Sequence, residues 1–122
     1  MKRLLTINSL LIFAVLVFGS FIISPTSYLK TSLKITVLDG MGSYVEGATV
    51  TIYADEDDFK ASKHPVQEPQ LTDEKGVVTF KDLKPQTYFV DVKKDKMNNY
   101  GAAQLTPELA ENRVNKVNIV IE

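Results

Sequence analysis

Cysteine is absent from the 122-residue chain. Disulfides, thiolate catalysis, cysteine-ligated metals and a lipidated cysteine are therefore excluded. Histidine occurs once, as His64 in the loop-like stretch "SKHPVQEP". A histidine-ligated zinc site needs several such residues, so none is expected. No Gly-x-Ser-x-Gly elbow is present to hold a nucleophilic serine. The residues offer no catalytic set, and we assign no cofactor, metal ligand or catalytic residue. Internal repeats and low-complexity tracts are also missing. Charge is missing from one long region: no charged residue lies between Arg3 and Lys30, and no acid precedes Asp39. With Lys2 and Arg3 set aside from the 14 basic residues, the remainder faces 15 acids, a net charge of about −3. This balance gives no basic footprint for nucleic acid.

The uncharged region is the first thing the chain does have. After Lys2 and Arg3, Leu4 to Ile23 carries no charge. Its apolar part is about 17 to 20 residues, enough to cross roughly 30 Å of hydrocarbon as a helix. A secretory signal has a shorter apolar core and a small-x-small cleavage site. Val17-Phe18-Gly19, before Ser20, fits such a site, and Pro25 disfavours cleavage after Ser24. Residues 1–24 are thus read as a membrane anchor, with a cleaved signal as the alternative. Lys2 and Arg3 favour an N-terminus inside, although Lys30 and Lys34 weaken that bias. Residues 25–32 are read as a polar linker, and residues 33–122 as a domain outside the cytoplasm.

From Leu33 onward the hydrophobic period is two. Leu33, Ile35 and Val37 share one face of a first strand. Val50 and Ile52 do so in "ATVTIYA", Val78 and Phe80 in "VVTF", Tyr88, Val90 and Val92 in "TYFVDV", and Val117, Ile119 and Ile121 in "KVNIVIE". β-Branched and aromatic residues at this spacing fit half-buried strands. "DGMGSYVEG", "DEKG" and "LKPQ" supply turns between them. Adding edge strands near Leu71 and Gln104 gives an all-β, about seven-stranded antiparallel sandwich of immunoglobulin or transthyretin-like type. It would follow an N-terminal hydrophobic helix and fold alone as a soluble monomer. "DEDDFKAS", with its acids leading, and "TPELAEN", with Thr106 as N-cap and Pro107 following, read as short surface helices or turns.

Two blocks carry a family resemblance. Asp39, Gly42, Gly47, Ala48, Val50 and Ile52 form the first; Thr72, Asp73, Gly76, Phe80, Leu83, Pro85, Tyr88 and Val90 form the second. Together they resemble the carboxypeptidase regulatory-like, or prealbumin-like, domain of exported bacterial proteins. Gln86 departs from the glycine that this family usually has. The resemblance implies a sandwich from Leu33 to Glu122 and says almost nothing about function. Each matched residue also has a structural explanation. Gly47 and Gly76 permit turn angles barred to other residues. Asp39 and Asp73 can cap turns. Tyr88 can place its ring in the core and its hydroxyl on a backbone group.

Three sharper readings compete with bland ones. The acids Asp55, Glu56, Asp57 and Asp58 could hold calcium, but they lack the glycine of an EF-hand loop and suit a solvated helix start. "TYFVDVKK" is similar to the strand that carries the catalytic acid in collagen-adhesin B-type pilin domains, with Asp91 at that place and Asn118 as a candidate amide. Their isopeptide bond needs a lysine where this chain has Val37, and Lys34 points to the opposite face. Tyr44, Tyr53, Phe59, Tyr88 and Tyr100 are the aromatic candidates for ligand binding. The reading that results is a non-enzymatic, membrane-anchored interaction or accessory module of the bacterial cell envelope. Its partners would be the membrane, through the N-terminal helix, and an envelope protein or glycan. A secreted carbohydrate- or peptide-binding module and a structural spacer are the alternatives.

Overall fold

The computed structural model describes residues 30–122. The anchor or signal segment and most of the linker lie outside the described residues. Two sheets face each other. The first holds β1 (Ser32–Asp39), β4 (Val77–Phe80) and β7 (Val114–Ile121) in the order β4-β1-β7. The second holds β2 (Thr49–Tyr53), β3 (Gln70–Leu71), β5 (Phe89–Lys94) and β6 (Met97–Asn98) in the order β3-β2-β5-β6. One helix, α1 (Glu56–Ala61), follows β2.

The period-two pattern decides what fills the space between the sheets. Leu33, Ile35 and Val37 of β1, Phe80 of β4 and Ile121 of β7 are wholly buried. They meet Val50 and Ile52 of β2 and Val90 and Val92 of β5 from the other sheet. Alternate residues such as Asn118 and Val120 face solvent. A one-residue slip would exchange these sets, so burial pins the register of every long strand.

Strand direction departs from the expectation. β1 pairs antiparallel with β4, but parallel with β7, in register from Ser32↔Val114 to Asp39↔Ile121. Alternation specifies which face is buried and is blind to chain direction. Parallel neighbours need a long crossover, and here the whole chain between β1 and β7 supplies it. The expected edge strand near Gln104 is a single bridge, Phe89↔Leu105. The short β6 was not anticipated.

β1 also starts earlier than the boundary read at Leu33. Ser32 donates to the Arg113 carbonyl at 3.1 Å, and the Thr31 carbonyl accepts from Leu83 at 3.0 Å. The Thr31 hydroxyl accepts from the Asn112 amide at 2.9 Å. These two residues of the supposed linker are part of the fold.

One turn device is used twice. Asp39 Oδ1 accepts from the amides of Met41 and Ser43, each at 2.9 Å. Asp73 Oδ1 accepts from Lys75 at 2.9 Å and Val77 at 3.0 Å. In both turns the glycine three residues on, Gly42 or Gly76, takes a positive φ and donates back to the aspartate carbonyl. Gly76 is further constrained, because a Cβ there would come within 2.5 Å of the Val37 carbonyl oxygen. At the other end of the sandwich Tyr88 is buried and its hydroxyl donates to the Lys84 carbonyl at 2.8 Å. Burial pushes its phenol up from the ordinary value. Gln86, where the family has glycine, is not among the residues with positive φ, so this turn makes no demand for glycine.

Two polar residues do structural work that the pattern hides. Asn99 is fully buried. Its Oδ1 accepts from Val92 at 3.0 Å, and its Nδ2 donates to Val90 at 2.8 Å and Ala103 at 3.2 Å. Thr106 was read as an N-cap, but no helix follows it. Its hydroxyl accepts from the Tyr88 amide at 3.0 Å and donates to the Pro107 carbonyl at 2.9 Å. With the oxygen engaged across the fold, the segment stays irregular until the turn at residues 111–112.

Two outcomes check this packing. Residues 30–122 expressed alone should give a β-type circular dichroism spectrum, and Phe80→Ala should cost about 3–5 kcal/mol in urea unfolding. A loss under about 1 kcal/mol would reverse the assignment of faces. The second concerns Asp73, whose two backbone hydrogen bonds, to Val77 and then Lys75, hold its carboxyl below the ordinary 3.8. A depressed folded-state value gives stability that is fully present above the unfolded value and lost as pH falls through the folded one. Asp73→Ala should therefore lower the melting temperature at neutral pH, and the gap to the parent should close in acid. A gap that persists at the lowest pH would assign the effect to something other than the carboxylate.

Candidate functional site

The acidic stretch builds a helix start. Asp55 caps α1, its Oδ1 accepting from the Asp58 amide at 2.8 Å. Glu56 pairs with Lys60 one turn on, at 2.9 Å, which raises the lysine above its ordinary value. Asp58 reaches His64 Nδ1 at 3.2 Å. The single histidine is thus an exposed loop residue beside a carboxylate. Among the described residues no group of three or more His, Cys, Asp or Glu side chains is placed to hold a metal.

The isopeptide constellation is not assembled. Val37 is buried in the core. Asp91 lies in β5 between buried Val90 and Val92, so it sits on the outer face of its sheet, near Lys93 at 3.7 Å. Asn118 is exposed on the outer face of the opposite sheet. The two side chains flank the sandwich from its two sides.

The aromatic candidates divide. Tyr88 is core. Tyr53 is buried on the outer face of the second sheet, under Phe59 of α1, with ring centroids 5.8 Å apart. Phe59 stacks in turn on Phe89 at 5.4 Å. This cluster fastens the helix to the sheet and offers no open ring. Sequence reading missed Phe89 as its third member, because alternation marks that position as outward-facing. Tyr44 and Tyr100 do stay exposed, at 63% and 51%. Both lie toward the end of the sandwich where β1 and β7 finish: Tyr44 bridges Leu38, and the Asn98 beside Tyr100 exchanges two 3.1 Å backbone bonds with Glu122. Lys93 Nζ lies 5.7 Å from the Tyr100 ring centroid. Tyr100, and then Asp91, hold the Lys93 ammonium above its ordinary value.

At the same end, Asn98, Gly101, Ala102, Val120 and Glu122 line a cleft of about 390 Å³. It contains one carboxylate and no nucleophile or general base paired with it.

A scan with protein-family models finds no match. A search of curated proteins finds none either. Among solved structures the chain is similar to a Streptococcal ancillary pilin, at 15% identity and a TM-score of 0.59, over 79% of this chain and 33% of that one. At this identity the likeness shows the fold alone, an all-β sandwich, and this chain spans about a third of the pilin's length. A Bacillus anthracis TIE protein (16% identity, TM-score 0.46, 75% of this chain and 16% of that one) and the chlorocatechol 1,2-dioxygenase from Pseudomonas putida (19%, 0.44, 81% and 63%) also match. Their TM-scores are too low to bear on this chain.

The dispersed acids and the unassembled isopeptide residues both predict silence. The intact mass of the purified domain should equal the sequence mass, with no ammonia lost to amide formation. Its melting temperature should not move between millimolar calcium and chelator, since a ligand that binds the folded state raises stability by RT ln(1 + [L]/Kd). A shift of several degrees would make Asp55 to Asp58 a metal site.

Proposed function

We propose that the chain is a non-enzymatic, exported β-sandwich of the carboxypeptidase regulatory-like type, anchored in the membrane by residues 1–24. It acts as an interaction or accessory module of the cell envelope, toward an envelope protein or glycan. The observation that carries this reading is a division of labour along the chain. An uncharged run, Leu4 to Ile23, precedes a sandwich in which the family-pattern residues Asp39, Asp73, Gly76, Phe80 and Tyr88 all serve turns and core. The fold shared with an ancillary pilin supports an exported, non-catalytic role. Among the described residues no helix is long and apolar enough to cross a membrane; the run that would do so lies outside them. A second reading, a secreted glycan- or peptide-binding module, draws support from exposed Tyr44 and Tyr100 at one end of the sandwich.

Fractionation distinguishes the two. Anchoring predicts recovery with the membrane, with residues 33–122 accessible to label from outside the cell and protected from cytoplasmic label. A soluble mature chain beginning near Ser20 would replace the anchor by a cleaved signal.

A further inference from the structure

Among the described residues, β7 ends its sheet with an open edge. The parallel register and the Ser32 to Arg113 bond fix which of its backbone groups face β1: those of the odd-numbered residues. The N–H and C=O groups of Val114, Lys116, Asn118 and Val120 therefore point away from β1. The next even-numbered residue, Glu122, shows the same direction, since it exchanges both its bonds with Asn98. Among the described residues nothing hydrogen-bonds the backbone of the other four. Folded proteins shield such edges with proline, bulges or very short strands. β7 has eight residues, no proline and an unbroken register with β1. Lys116 is its one charged residue.

The geometry points to a second copy of this chain as the occupant of that edge, with β7 pairing antiparallel to the second copy's β7 about a two-fold axis. One register uses all four outward residues and no others: Val114 opposite the second copy's Val120, and Lys116 opposite its Asn118. Sliding by two residues one way sets Lys116 against Lys116, a like-charge pair. Sliding the other way sets Val114 against Glu122, whose backbone groups Asn98 already holds. In the favoured register, Val114 and Val120, 43% and 36% exposed, cover each other at both ends of the ladder. The charges complement as well. β7 begins near Arg113 and Lys116 and ends at Glu122, so antiparallel pairing brings the basic start of one strand to the acidic end of the other. The cleft lined by Val120 and Glu122 lies just past the ladder, where the second copy's turn at Asn112 and Arg113 arrives. A contact this short belongs with transient interfaces. Free chains are then monomeric when dilute and pair as concentration rises.

The absence of cysteine allows a test free of background. Directly opposed residues in such a ladder have Cα atoms about 5.5 Å apart, within disulfide range. The purified full chain carrying Val114→Cys and Val120→Cys together should oxidise to a covalent dimer in a concentration-dependent way. Each single variant should stay monomeric, because the register sets like positions six residues apart. Leu71→Cys, 68% exposed on β3 at the far edge of the other sheet, reports random collision. Val114→Lys with Val120→Lys should abolish dimer formation by a Lys116→Cys/Asn118→Cys chain and leave its circular dichroism spectrum unchanged. Cross-linking by Leu71→Cys at the level of the double variant, by either single variant, or by none of the variants, would overturn the proposal.

Discussion

β1 is the strand on which the sandwich depends. It is the middle strand of its sheet, antiparallel to β4 on one side and parallel to β7 on the other. Its inward residues Leu33, Ile35 and Val37 are wholly buried. Its pairing with β7 joins the first and last strands described, across the whole intervening chain. Loop closure over that separation must be met before the ladder contributes any stability, which places the fold among the slower topologies. The turn that delivers β4 to β1 is tied to the same strand. Val37 donates to the Gly76 carbonyl at 2.8 Å, and its own carbonyl occupies the space a Cβ at Gly76 would need. A side chain at Gly76 would push apart the strands that define the sheet.

The sequence made the inward faces legible because period-two alternation is a direct consequence of the pleat. Leu33, Val50, Phe80, Val90 and Ile121 all stand where alternation puts them. The capping role of Asp39 and Asp73 was legible for a related reason, since an aspartate followed three residues later by glycine is a local device. What could not be read depends on distance in the chain. Nothing local tells that β7 runs parallel to β1. Thr106 carries the same local signature as a helix cap, yet its hydroxyl is engaged by Tyr88, 18 residues away. Asn99 looks like a turn residue in "KMNNYG" and proves to be a buried clamp on β5. Phe59 passes for an exposed aromatic until the outer face of the second sheet is seen to carry Tyr53 and Phe89 beneath it.

The candidate site was harder to read than the fold because it is made of backbone and small residues. Chemistry announces itself through rare side chains at fixed spacing, and this chain has one histidine and no cysteine. Of its acids, Asp55 caps the helix and Asp39 and Asp73 cap turns. Its polar core residues Thr72, Asn99 and Thr106 are satisfied inside the fold: the Thr72 hydroxyl accepts from Ala48 at 2.9 Å and donates to Val45 at 2.6 Å. No buried side-chain polar atom among the described residues lacks a partner. A sandwich that satisfies its interior this fully leaves its unpaired polar groups at its rims and edges.

Edges of that kind matter most when the protein is tethered. An unpaired strand supplies directional hydrogen bonds but little buried apolar area, so a soluble domain gains little from it at low concentration. A membrane anchor changes the arithmetic. Confining chains to a plane, with their sandwiches a short spacer above it, raises the effective concentration of one edge for another without any new contact. It also restricts orientation, which removes part of the entropy that a free pair loses on docking. Lys116 then has a physical reading on both sides: it limits indiscriminate strand addition in solution, and in the two-fold register it sits opposite an asparagine and not another lysine. A weak, self-complementary edge and a hydrophobic leader segment are each unremarkable alone. If the chain is anchored and pairs as proposed, the two together would make association depend on surface density, which is a property an envelope module can use.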